Sequence, residues 1–421
     1  MNILEMAAAN QLKKTGATKK LSISGQINNQ YDVYSIPLKY LYYNNQNGRI
    51  NTTYKQYQAN HKEELKPKPG DSEYNRQFEK LIYNSNVQAL KDTLDSIKSK
   101  TQQEPAVVLP DGRVIDGNRR FTALRMYERQ DGIPKNLEAI ILPLDIRSDE
   151  KSIKELELDL QLGREERVSY DPIDRIFDVY NTIEVKKLMN ADEYRKASGT
   201  GNVVSIKNDL YLAELILRFI GIVSPDGDPV DKFYLARDLQ IDGPIEEVGR
   251  KLLKLKDDDK EAIIDATLVQ LIAAKSGVYE NTEPKLVMRQ LKTHVLGNPD
   301  VLEHYLDAVD DKVDAVIETF EDTPIHSSND LKKVVDQDVN LKKQIEKLKS
   351  TTDRLIYKGK KDSKRVKVLT KLENIRDDIE DISVSEFSLL TVDENLEAKD
   401  VMRQINDDLF KLKKEWQDDI L

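Results

Sequence analysis

Residues 105–132 read PAVVLPDGRVIDGNRRFTALRMYERQDG, and no other stretch limits the fold as tightly. Ala106–Leu109 is a short apolar run bounded by prolines and is predicted to be a strand. Pro110-Asp111-Gly112 then turns the chain: proline presets φ and glycine accepts a positive φ. Arg113–Ile115 is the return strand, Asp116-Gly117-Asn118 a sharp turn, and the chain is helical from Arg119, with Phe121 and Leu124 on one face. Leu137–Leu144 adds a further strand. A hairpin that runs into a helix and back into a strand excludes an all-helical chain. An aromatic content of 6% also argues against a large β-sandwich. The predicted α+β unit covers about 31–146. YDVYSIPLKYLYYN at 31–44 supplies its first strand, 58–72 a loop, and 74–100 a helix with Phe78, Leu81, Ile82, Val87, Leu90, Leu94 and Ile97 at helical spacing.

From Lys151 onward the apolar period is helical almost throughout. Asp171-Pro172 has the N-cap and first-turn proline of a helix start, followed by the stripe Ile173, Ile176, Phe177, Tyr180. SGTGNVVS breaks the helical pattern within 190–220, with Ser205 as the expected cap of the second helix, and Gly221–Asp231 is expected to be a loop. Residues 331–357 carry a heptad through Leu331, Val334, Asp338, Leu341, Ile345, Leu348, Thr352 and Leu355. Polar Asp338 and Thr352 would set its register. Lys358–Lys367 reads as a basic connector to a second helix pattern. There Leu372, Ile375, Ile379 and Ile382, then Val401, Ile405, Leu409, Leu412, Trp416 and Ile420, resume the spacing. The expected organisation is a basic flexible arm at 1–30, an α+β domain at 31–150, a helical domain with a helix-turn-helix candidate at 151–242, a helical domain at 243–330 and a coiled-coil-like tail at 331–421. The fold class is α+β, with a mostly α-helical region after the N-terminal domain.

Charge narrows the partners. The net charge is −10; residues 1–70 hold ten Lys/Arg and four Asp/Glu, or +6, which leaves −16 for the remainder. An acidic body does not attract DNA in bulk, so phosphate contact falls to local basic groups such as Lys13, Lys14, Lys19 and Lys20. The chain has no cysteine, which excludes disulfides, thiolate zinc sites and cysteine nucleophiles. His61, His294, His304 and His326 are scattered without paired metal-ligand spacing. No apolar run approaches the ~18 residues of a membrane span, and MNILEMAAANQLKKTG lacks the pattern of a signal peptide. A cytoplasmic protein with no membrane contact is expected. P-loop, His-Glu-x-x-His and Gly-x-Gly-x-x-Gly motifs are all absent.

The turn at Gly117 is the best candidate for chemistry. Free N–H groups at a helix start attract anions, a glycine lets a phosphate approach the backbone, and Arg119 and Arg120 are able to hold phosphate oxygens in bidentate fashion. The competing reading is an ordinary strand–turn–helix with surface arginines. Asp116 is a candidate for orienting water or metal, although such an aspartate more often caps its turn.

Gly117-Asn118-Arg119-Arg120-Phe121-Thr122-Ala123 resembles the Gly-Glu-Arg-Arg-x-x-Ala box of the ParB/sulfiredoxin superfamily. The flanks are similar in kind: an Ile36-Pro37-Leu38 strand, a loop arginine at Arg49, the helix ALKDTLDSIKSK and the strand Glu104–Val108 before the box. Leu156–Arg167 and Asp171–Asp174 after it resemble the family's third motif and following helix. The resemblance covers about 31–220. It implies a ParB-like domain binding a nucleoside triphosphate, CTP or ATP, with Mg2+. Gly117, Asn118, Arg119, Arg120 and Thr122 of the box, with Arg49, would form the phosphate site, and Asp159 and Gln161 are the nearest match to the metal-binding motif. Two departures bear on this. Asn118 stands in place of the box glutamate linked to hydrolysis, and the Glu-Asn-Leu-Gln-Arg motif is replaced by Asp159–Arg164. Sulfiredoxin chemistry is excluded, because it needs a cysteine where Asn118 stands.

In ParB proteins a helix-turn-helix follows, and 190–220 is the matching segment here, with Lys196, Lys207 and Asn208 as candidate DNA contacts. The expected function is a nucleotide-regulated, DNA-associated factor of a plasmid, phage or defence system, self-associating or docking a protein through its C-terminal helices. The alternatives are a nucleotide hydrolase, kinase-like phosphotransferase or nuclease on the same fold, and an interaction factor without nucleotide turnover.

Overall fold

The computed structural model describes residues 2–21, 23, 29–61, 65–162, 171–199, 201–255, 259–279 and 282–419; for residues 49, 361–371 and 416–419 it describes the backbone alone. The N-terminal elements are α1 (Ile3–Ala8), β1 (Lys13–Lys20), β2 (Gln30–Pro37), β3 (Tyr42–Tyr43), α2 (Asn51–Asn60), α3 (Glu73–Ser85), α4 (Val87–Lys100), β4 (Ala106–Val108), β5 (Arg113–Asp116), α5 (Asn118–Asp131) and β6 (Asn136–Ile141). The strands form one mixed sheet in the order β1-β2-β6-β4-β5-β3. β3 runs parallel to β5 and β4 parallel to β6, while the remaining pairs are antiparallel.

The period-2 pattern of the strands decides the layers. Val114 and Ala139 face one core with Phe78, Leu94 and Phe121 of α3, α4 and α5. Their neighbours Ile115 and Ile140 face the opposite core with Ile153, Leu156 and Leu160 of α6 (Glu150–Leu162). The sheet is therefore covered by helices on both faces.

Two expectations for this region change. Residues 2–21, expected within a free arm at 1–30, are packed on the domain. Ile3, Leu12 and Leu21 are buried, and β1 pairs with β2 from Lys13↔Ser35 to Lys20↔Gln30. Lys13, Lys14 and Lys20 are exposed on the edge strand, where charge discourages pairing with another chain. Lys14 is bound to Asp32 at 2.7 Å, and the Lys19 ammonium donates to the Pro105 carbonyl at 2.6 Å. The helix expected over 74–100 is two helices. Asn86 leaves helical geometry and its side chain caps α4 through the Ala89 N–H at 2.9 Å.

The chain continues as α7 (Pro172–Tyr180), α8 (Ala191–Ser198), α9 (Val203–Val223), α10 (Tyr234–Asp238), α11 (Asp242–Lys254), α12 (Lys260–Lys275), α13 (Pro284–Leu291), α14 (Pro299–Asp322), α15 (Ser328–Gln337), α16 (Val339–Asp381) and α17 (Val392–Asp419). Asp171 caps α7 with Pro172 in its first turn, as expected. The cap of α9 is Asn202 rather than Ser205. Ser205 is the reciprocal partner in a capping box, three residues into the helix. α9 runs to Val223, so the following loop begins later than expected.

The coiled seam expected over 331–357 is a helix break and a core. Asp338 ends α15 in an extended conformation, and its carboxylate accepts from the N–H groups of Asn340 and Leu341 at 2.8 and 2.9 Å. Leu331, Leu341, Ile345, Leu348 and Leu355 are buried in one core with α7, α9, α12 and α14. Thr352 is fully buried and donates to Gln270 Oε1 at 3.0 Å. The expected connector at 358–367 is helical backbone within α16. The chain divides into two compact units, Met1–Ser363 and Lys364–Leu421. No described helix is long and apolar enough to cross a membrane.

Candidate functional site

The parallel pair β3 and β5 brings two chain segments to one edge of the sheet. Tyr42 lies beside Arg113 and Tyr43 beside Val114, so residues 44–48 and the turn Gly117-Asn118 both leave the carboxyl ends of these strands. Open, mostly parallel α/β sheets take ligands outside the carboxyl ends of their strands, and β3 and β5 form one parallel pair of this mixed sheet. Gly117 has φ +94°, and a Cβ there would lie 2.7 Å from Ala106 Cβ, so backbone geometry and packing both demand glycine. α5 begins at this glycine with no side chain capping it, unlike α3, α4 and α7, which Ser72, Asn86 and Asp171 cap. Asn118 opens the helix buried, and its Oδ1 has no hydrogen-bond partner.

The box residues divide by environment. Arg119 is half-buried in the first turn. Arg120 turns back onto the protein, donating from Nη1 to the Glu104 carbonyl at 2.6 Å and from Nη2 to Asp116 Oδ2 at 3.0 Å. Arg120 and Asp116 are thus paired with each other at the start of α5. Thr122 is fully buried; its hydroxyl donates to the Asn118 carbonyl at 2.9 Å and lies 2.8 Å from the Tyr43 hydroxyl. It is packed in the core of the N-terminal domain. Arg49 lies in a short helical turn, Gly48–Ile50, and its side chain is outside the described residues.

Sequence reasoning missed the groups that hold this edge together. Arg113 is buried, donates from Nη1 to Asn45 Oδ1 at 2.8 Å and stacks 5.3 Å from the centre of the Tyr42 ring. Glu157 of α6 accepts from the Gly48 N–H at 3.1 Å and from Gln161 Nε2 at 3.0 Å. Lys154, one turn earlier, binds Asp178 Oδ1 of α7 at 2.6 Å and Glu157 Oε2 at 3.6 Å. The Tyr194 hydroxyl of α8 donates to Asp178 Oδ2 at 2.9 Å. Burial pushes the Glu157 carboxyl above its ordinary range, with Lys154 opposing. Burial also acts to lower the Lys154 ammonium, but Asp178 and Glu157 outweigh it and hold that pKa up. An amphipathic pattern conceals such charges, because they sit on the helix side that sequence reading assigns to solvent.

Beside this cluster is a cleft of about 180 Å3 lined by Asn45, Asn51, Tyr54, Lys154, Thr182 and Lys186 among others. Thr182 is 1% exposed and its hydroxyl has no partner. Of the two candidate metal ligands, Asp159 is exposed, while Gln161 donates to Glu157 and to Asn47 Oδ1 at 3.3 Å. Gly163 to Arg167, the rest of that motif, lie outside the described residues. Among the described residues no three His, Cys, Asp or Glu side chains converge.

Asp174 joins α7 to α2. Its Oδ1 accepts from the Thr52 N–H at 3.2 Å and the Thr52 hydroxyl at 2.6 Å, and Arg237 Nη1 donates to the same hydroxyl at 2.9 Å. Burial pushes the Asp174 carboxyl up to about 7, against the Thr52 hydrogen bond.

In the helix-turn-helix candidate α8 ends at Ser198 and α9 starts at Val203. Lys207 is exposed near the start of α9 and Asn208 is half-buried. Lys196 is paired with Asp192 at 2.5 Å, so its charge is offset within α8. No family model, no curated protein and no solved structure matches this chain.

Proposed function

We propose that the N-terminal domain binds a nucleoside triphosphate, with its phosphates at the start of α5. The observation that carries this reading is the uncapped glycine start of α5 at the carboxyl edge of β3 and β5. Its first-turn N–H groups suit an anion, and Asn118 and Arg119 are the side chains beside them. The unpartnered Asn118 Oδ1 is an acceptor, so it suits a donor or cation brought in with the ligand, such as the Mg2+ of a triphosphate, rather than a phosphate oxygen; a buried polar group left unsatisfied costs about 1–3 kcal/mol. CTP and ATP are the nucleotides that the ParB-like box implies, and Mg2+ would accompany the triphosphate, since Asp159 and Gln161 do not converge. The α8–α9 pair is the segment proposed to meet DNA, through Lys207 and Asn208.

Calorimetric titration of the full chain with each of the four nucleoside triphosphates and Mg2+ tests the site. At least one is expected to bind, and Arg119→Ala is expected to weaken it by about 1.5–3 kcal/mol through loss of a charge-assisted hydrogen bond. Absence of binding for all four, or unchanged affinity in Arg119→Ala, refutes the phosphate site. DNA binding measured across salt, with and without CTP and ATP, tests the second surface. Affinity is expected to fall with a log–log slope of roughly −0.9 per phosphate neutralised, and Lys207→Glu to reduce that slope.

A further inference from the structure

α17 carries an apolar seam whose described side chains are exposed. Met402, Ile405, Leu409 and Leu412 follow one another at intervals of 3, 4 and 3 residues, preceded by Ala398, and the sequence continues the interval to Trp416. In a heptad, Met402 and Leu409 take position a, and Ala398, Ile405 and Leu412 take position d. These four large side chains are 39–51% exposed, and none of the described side chains from 372 to 415 is buried. A 28-residue helix with a continuous a/d stripe gains little from water on that face.

Charge identifies the occupant. The g positions beside the seam are Glu394, Val401 and Asp408, and the e positions are Lys399, Asn406 and Lys413. In a parallel, in-register pair each g residue meets the e residue five places later on the partner. Glu394 then meets Lys399, Val401 meets Asn406, and Asp408 meets Lys413, so each charged pair is attractive and occurs twice by symmetry. The antiparallel arrangement centred on the same seam sets Lys399 against Lys413 and Asp408 against its own copy. One helix therefore carries both halves of the ion pairs that a parallel pair of itself requires.

We infer that this chain forms a parallel homodimer through α17, with Ala398, Met402, Ile405, Leu409 and Leu412 each meeting its own copy. The inference is independent of the nucleotide reading, because it rests on residues 394–413, none of which belongs to the α+β domain.

The test uses the full chain. Light scattering should give twice the chain mass of 48.3 kDa, and Leu409→Asp should return it to one. Lys413→Asp should raise the dissociation constant by roughly tenfold, and adding Asp408→Lys should restore it. The absence of cysteine makes orientation readable. Ala398→Cys and Leu412→Cys, oxidised separately, should each form a disulfide-linked dimer with itself, because equivalent positions face one another only in the parallel register. A monomeric full chain, or a dimer in which neither cysteine variant cross-links with itself, overturns the inference.

Discussion

Replacing Lys154 by methionine is the sharpest probe of what positions the candidate site. Lys154 is the only cation bridging Asp178 and Glu157 among the described ion pairs, at 2.6 and 3.6 Å, and both carboxylate side chains are 3% exposed. Methionine keeps the length of the stem and removes the charge. Asp178 would retain the Tyr194 hydroxyl and Glu157 would retain the Gly48 N–H and Gln161, but neither would retain a positive partner. Removing one member of a buried ion pair costs about 3–5 kcal/mol, because the remaining charge stays desolvated. With a urea dependence of roughly 3 kcal/mol/M, the midpoint should fall by about 1–1.7 M, read by far-ultraviolet circular dichroism. The pH dependence follows in sign. Burial already raises the folded Glu157 carboxyl above its unfolded value, and without Lys154 no cation among the described ion pairs opposes it. Its protonated form then supports the fold below the unfolded pKa, and that support is lost as pH rises through the folded pKa. The deficit should therefore shrink on acidification from neutral pH toward 5. A midpoint within about 0.3 M of wild type, or a deficit that grows on acidification, refutes the buried cluster as the joint between α6, α7 and α8.

Asp174→Asn tests the second buried carboxyl. The folded pKa of Asp174 is raised to about 7, so its contribution to stability is full below the unfolded value and is lost as pH rises through about 7. The asparagine variant keeps the Oδ1 acceptor for Thr52, so it should match wild type near pH 5 and exceed it at pH 8 in thermal melts. Gly117→Ala should destabilise by about 2 kcal/mol or more, from the positive φ and the contact with Ala106, measured by urea denaturation. Asp338→Ala removes the cap of α16 and should cost about 1 kcal/mol in the same assay.

The sequence by itself determined the local units of this protein. The Ala106–Asp116 hairpin, the turn at Gly117, the amphipathic α5 and the Asp171-Pro172 start of α7 are present where the residues place them. Their causes are turn chemistry, capping and a short apolar period, all acting within a few residues. The same applies to the seam of α17, a repeat that one helix carries alone.

Tertiary structure decided what those units meet. The lysines of 13–20 belong to an edge strand because β2, a separate segment of the chain, supplies its hydrogen bonds. Residues 331–356 show a heptad that a coil and a core helix would both display; the helices already present around them make them core. Arg120 and Asp116 look available in sequence, yet the chain folds Glu104 beside them and pairs them with each other. Lys154, Glu157, Asp178 and Tyr194 span three helices, and no periodicity marks them as partners. Hydrogen bonds and burial between distant segments depend on how helices cross, and a linear pattern records only which faces are apolar.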